Sequence, residues 1–147
     1  MNGDKGNLKL FVQNIEDLKI ISAYSQDSLS AVKDIVFLKE NRTFIMMINR
    51  FMWEKVETDN FEKSKRIRCA IKFADVLRVI SKKINQKNKD RLLEFLTIEC
   101  NKTSNNYEIK IVFAGDGIIT LISEAIDVVM QDLGDAWDVK HVPKHKI

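Results

Sequence analysis

The stretch from Arg66 to Phe73, R-I-R-C-A-I-K-F, constrains this chain more than any other. Side chains alternate across a strand with period two, so Ile67, Cys69, Ile71 and Phe73 share one face and Arg66, Arg68 and Lys72 the other. One face must rest on a core and the other must meet water. Antiparallel sheets show this pattern, whereas parallel sheets covered on both faces read as continuous apolar runs. The same alternation recurs along most of the 147 residues, and no catalytic or nucleotide-binding motif interrupts it.

One domain is expected at this length, burying roughly two thirds of its unfolded surface. Residues 1–7 read as a flexible lead, 8–138 as a single domain and 139–147 as a flexible basic tail. An apolar fraction of 45% excludes wholesale disorder. Twenty-four Lys and Arg against 21 Asp and Glu leave +3, far short of the excess expected of a dedicated nucleic-acid binder. No run approaches the roughly 18 apolar residues of a spanning helix, and Met1 to Lys9 is too polar for a signal peptide. Cys69 and Cys100 each alternate with exposed positions and read as buried strand thiols, too few for a secreted disulfide framework. A cytoplasmic, reduced protein is expected.

Along the chain, Leu8 to Gln13 reads as a first strand. Asn14 then caps a helix running to about Ser25, with Ile15, Leu18 and Ile21 or Ser22 on its buried stripe. From Ala31 the period returns to two, and a hairpin turning near Glu40–Arg42 leads into T-F-I-M-M-I-N-R-F-M-W. That arm is apolar on both faces from Phe44 to Ile48 and reads as central. The Arg66–Phe73 strand bends at Ala74 and Asp75 into V-L-R-V-I. Further strands follow at 92–100, 107–113 and 118–122, the last two joined by a tight turn at Gly115-Asp116-Gly117. Ile126, Val129, Met130 and Leu133 are spaced i, i+3, i+4, i+7, which predicts a closing helix capped by Ser123, with Gly134 at its C′ position.

Four segments carry a resemblance: D-L-K-I-I-S-A-Y-S-Q-D-S at 17–28, R-T-F-I-M-M-I-N-R-F-M-W-E at 42–54, F-A-G-D-G-I-I-T-L at 113–121 and M-Q-D-L-G-D-A-W at 130–137. Together they resemble an alphaproteobacterial family known only as a domain of unknown function. The resemblance implies lineage and a cytoplasmic setting; it transfers no activity and no catalytic residue. The fold expected is α+β, a strongly bent, mostly antiparallel sheet or partly open barrel with an N-terminal helix and a closing C-terminal helix. By fold-level analogy it is similar to the pleckstrin-homology-like architecture.

Two surfaces are candidates for function. Asn49, Arg50, Trp53 and Glu54, within N-R-F-M-W-E, pair an aromatic with a guanidinium, the chemistry of interface hot spots. Against this, Phe51 and Trp53 would close the core while Arg50 and Glu54 form a surface pair, and that packing reading is favoured. Lys65, Arg66, Arg68, Lys82 and Lys83, from the basic stretches 62–68 and 82–91, offer clustered cations for a phosphate ligand. Acidic neighbours and the lack of interleaved aromatics favour a solvated face instead.

His141 and His145 lie around a proline in the tail, with no third ligand, so no metal or other cofactor is implied. The rest of the chain has no histidine, which removes His-based triads and leaves Asp75 and Asp116 as weak carboxylate candidates. The function expected is therefore a non-catalytic binding or scaffold module. Its partner would be a protein, a second copy of the chain included; the alternative, less favoured, is nucleic-acid or phosphate-ligand binding through the basic loops 62–68 and 82–91.

Overall fold

The computed structural model describes residues 7–52 and 65–138, except for the side chains of 135–138. Strands β1 (Lys9–Val12), β2 (Leu29–Ala31), β3 (Ile35–Leu38), β4 (Thr43–Phe51) and β5 (Lys65–Phe73) occupy the first half with helix α1 (Leu18–Ser25). The second half holds β6 (Val76–Lys82), β7 (Leu92–Lys102), β8 (Tyr107–Phe113), β9 (Ile118–Ser123) and β10 (Val128–Asp138). All join one antiparallel sheet in the order β1-β10-β5-β4-β2-β7-β8-β9-β6, with β3 also on β4. The mostly antiparallel sheet, the N-terminal helix and the bend at Ala74–Asp75 agree with the sequence.

The core follows from alternation. On β4 the inward set is Phe44, Met46, Ile48 and Arg50; on β5 it is Ile67, Cys69, Ile71 and Phe73. Register stacks these sets directly, with Phe44 opposite Phe73, Met46 opposite Ile71 and Ile48 opposite Cys69. The Phe44 and Phe73 rings meet edge to face with centroids 6.0 Å apart, a geometry favoured by their quadrupoles. From the other half, Phe95, Ile109, Ile111, Phe113 and Leu121 complete the same buried cluster.

Helix α1 packs against β7 and β4, burying Leu18 and Ile21. Asn14 Oδ1 accepts the Asp17 backbone N–H at 2.9 Å, but the first turn closes through three-residue bonds such as Leu18 N to Ile15 O. The regular helix therefore starts later than a cap at Asn14 predicts. Ser22 Oγ lies 3.2 Å from Thr97 Oγ1 and accepts the Ile98 N–H at 3.3 Å. That bond sits beside a bulge in β7, between Phe95 and Thr97. The bulge shifts the alternation by one residue, so Leu93, Phe95 and Ile98 are buried while Leu96 is exposed.

The closing C-terminal helix is not formed; the segment expected to hold it is strand β10, paired with both β1 and β5. Ile126, Val128, Met130 and Asp132 are buried, while Gln131 and Leu133 are exposed. This is a period-two pattern that ends on a charge, and the charge is what hides it behind the helical stripe of Ile126, Val129, Met130 and Leu133. Gly134 keeps its positive φ of 74°, though not as a helix C′ residue. It lies in the irregular stretch between Leu133 and Trp137 where the β10–β5 register shifts, a place where glycine relieves the strain of a bulge.

Candidate functional site

The sheet fails to close between β3 and β6. Among the described residues β3 pairs with β4 alone and β6 with β9 alone. At one end the seam is pinned by the Val76 N–H donating to Arg42 O at 2.8 Å. The ion pair of Arg42 Nη1 with Glu124 Oε1 at 2.7 Å reinforces that end. At the other end the loop after β6 crosses to the short 3-10 turn Val32–Asp34. There Val32 N donates to Arg91 O and Lys33 N to Lys89 O, both at 2.9 Å.

Between these pins lies a cavity of about 320 Å³. Its apolar wall comes from the inward side chains of both edges, Ile35 and Phe37 on β3 and Val79 on β6, backed by Phe44 and Ile119. Ile84 from the crossing loop forms the far side; it lies so close to Gly117 that a Cβ there would sit 3.1 Å from Ile84 Cγ1. The polar residues are Ser81, Gln86 and Lys89. Gln86 Nε2 donates to Ser81 Oγ at 2.7 Å. No carboxylate is among the lining residues, since neighbouring Asp90 turns to Lys33 at 3.2 Å.

A second polar feature lies inside the core. Arg50 Nε and Nη2 each donate to Asp132, to Oδ1 and Oδ2 respectively, at 2.8 Å. Both side chains have 0% exposure. The strands explain the encounter: Asp132 is opposite Cys69 and Arg50 opposite Ile67, so the guanidinium reaches diagonally across β5. Arg50 also donates to Phe51 O at 2.9 Å and faces the Tyr24 ring at 5.5 Å. Asp132 Oδ2 accepts the Leu8 N–H at 3.1 Å, tying the start of β1 to the pair. Burial, reinforced by the Asp132 charge, pushes the Cys69 thiol up to about 12. Cys69 is therefore no nucleophile at neutral pH; burial also raises the Cys100 pKa.

A family model described as "Protein of unknown function (DUF2948)" matches residues 8–145. The chain belongs to the DUF2948 family. No curated protein and no solved structure matches it. The matched span contains every residue lining the cavity and both members of the Arg50–Asp132 pair.

In this DUF2948 chain the residues singled out from sequence do not gather into one site, although Asn49 and Arg66 meet across β4 and β5. Trp53 and Glu54 lie outside the described residues, as do His141 and His145. Arg50, expected on the outer face in either reading of N-R-F-M-W-E, is in the core. The correction has a simple cause, because Arg50 is two residues beyond Ile48 on the inward face. Phe51, two residues beyond Asn49, takes the outer side and stacks under Arg66, whose Cζ is 3.8 Å from the ring centroid. Arg66 also donates to Asn49 O at 2.7 Å.

Of the remaining cations, Arg68 faces Asp34 at 3.6 Å and Lys83 faces Asp116 at 4.0 Å. Lys65 and Arg68 stand on β5, while Lys82 ends β6, on the far side of the bend. Asp75 and Asp116 both adopt positive φ. They flank opposite ends of the β6–β9 ladder, which runs from Val76 to Lys82, and so do not converge. Among the described residues no helix is long and apolar enough to cross a membrane.

The cavity leaves no mark in the sequence because its residues come from four separate stretches, 32–37, 44, 79–89 and 119. The buried pair did leave a signal. Strict alternation puts Arg50 and Asp132, of opposite charge, on the inward faces of two strands.

Proposed function

We propose that this chain is a non-catalytic binding module of the cytoplasm, which engages a protein partner along the seam between β3 and β6. One observation carries the reading: the outward face of edge strand β3 lacks the charged side chains that usually guard an edge. Exposed edges normally carry charge that discourages an added strand. Outward-facing β6 follows that rule with Arg78 and Lys82 around Ile80. Outward-facing β3 instead shows Val36 and Leu38, 44% and 43% exposed. An extended segment of a partner laid on β3 would gain main-chain hydrogen bonds, and these two side chains would anchor it.

The bent sheet left open between two edge strands is the feature that recommends the pleckstrin-homology-like analogy; the closing helix, on which the analogy also rested, is strand β10 here, and the analogy speaks to fold alone. Free thiols at Cys69 and Cys100 suit a reducing compartment.

Replacing Val36 and Leu38 together by lysine should leave folding within about 1 kcal/mol of the parent, because both are surface positions. Partner capture from native cell extract should fall at least tenfold, read by quantitative mass spectrometry of paired pull-downs. The same captured proteins in the same amounts with both chains would overturn the assignment.

A further inference from the structure

We propose that the cavity beneath the seam is a binding site for a small amphipathic anion, an apolar body of roughly ten non-hydrogen atoms with a single carboxylate. The proposal is independent of the partner reading. It uses the inward side chains of the two edges, whereas a partner strand would use Val36 and Leu38.

Size comes first. A volume of about 320 Å³ is at the lower end of ligand pockets, which span roughly 300–1,000 Å³. At roughly 30 Å³ per water-sized group it holds about ten heavy atoms. Shape points the same way. Both ends of the seam are pinned by backbone hydrogen bonds, at Arg42–Val76 and at Lys89–Lys33, so the space beneath it is short and takes a compact molecule.

Polarity then selects the head group. The walls from β3, β6 and β9 are apolar, so a fully polar ligand would lose its hydration without compensation. The polar residues gather on the β6 side and its following loop, where Gln86 Nε2 already donates to Ser81 Oγ. That bond uses the serine oxygen as acceptor and leaves its O–H to donate. The second Gln86 amide proton and the Lys89 ammonium add further donors. No lining residue is acidic. A corner rich in donors, with one cation and no carboxylate, complements an anion. An amine of the same length would meet Lys89 as a like charge.

Titration of the full chain with octanoate, octylamine and octanol, followed by amide and methyl NMR, tests the assignment. Octanoate should shift Val79, Ser81, Ile84 and Ile119 saturably, with an affinity at least tenfold above that of octylamine. Lys89→Glu, at an exposed position, should weaken octanoate at least tenfold and favour octylamine. Val79→Trp, filling the cavity, should abolish the shifts for all three probes. Val36→Lys with Leu38→Lys should leave octanoate affinity unchanged, which separates this site from the partner surface. Absence of saturable shifts, equal affinity for acid and amine, or octanoate binding that survives Lys89→Glu undiminished would each overturn the proposal.

Discussion

Replacing Arg50 by methionine is expected to lower the free energy of unfolding by about 3–5 kcal/mol, the cost of breaking a buried ion pair from one side. The substitution keeps an unbranched side chain of similar length in the core. It deprives the Asp132 carboxylate, at 0% side-chain exposure, of two charge-assisted bonds of 2.8 Å. The Leu8 N–H at 3.1 Å is a weak substitute for a guanidinium. Because Leu8 leads into β1, the first strand should also loosen, with faster amide exchange from Lys9 to Val12 than global unfolding explains. Combining Arg50→Met with Asp132→Leu should recover most of the loss, since two apolar groups leave no buried charge. Urea unfolding of the three variants measures this. A single-variant loss below about 1 kcal/mol would place the pair in a far more polar environment than the core geometry implies.

The second large effect is a dependence on alkaline pH traceable to Cys69. Its thiol is pushed from an ordinary value of 9.0 up to about 12, first by burial and next by the charge of Asp132. Below pH 9 the thiol is protonated in both states, and its contribution to stability is fully present. Above pH 9 the unfolded chain releases this proton while the folded chain retains it, so stability falls until the folded thiol itself ionises near 12. The slope is about 1.4 kcal/mol per pH unit for one group. Other groups titrate in this window, so the measurement is the difference between the parent and Cys69→Ala across pH 8 to 11. The parent should lose stability more steeply than the variant. Parallel curves would mean that the thiolate is tolerated in the core.

How far the sequence reveals this molecule depends on whether a residue's environment is local. The Arg66–Phe73 alternation, the β3–β4 hairpin and the Gly115–Gly117 turn depend on neighbours in the chain and are legible. The β7 alternation slips by one after Phe95 because Ser22, far away in sequence, takes the Ile98 N–H. The β10 strand reads as a helix because Asp132 breaks its apolar alternation, while Val129 and Leu133 complete a helical stripe. Only the distant Arg50 makes Asp132 a core residue. Each charge argues against burial on its own, and the two together permit it. The cavity is legible least of all, since it is the space left where two edge strands do not pair.

If β3 carries the partner surface, its outward side chains must touch the partner in the cell. A photo-crosslinking amino acid placed at Val36, and in a separate chain at Leu96, tests it inside the native cell. Leu96 is equally accessible, at 46% exposure against 44%, but lies on β7, away from the seam. A discrete protein adduct should form from position 36 and none of that mass from position 96. An adduct common to both positions, or one formed at 96 alone, would contradict it.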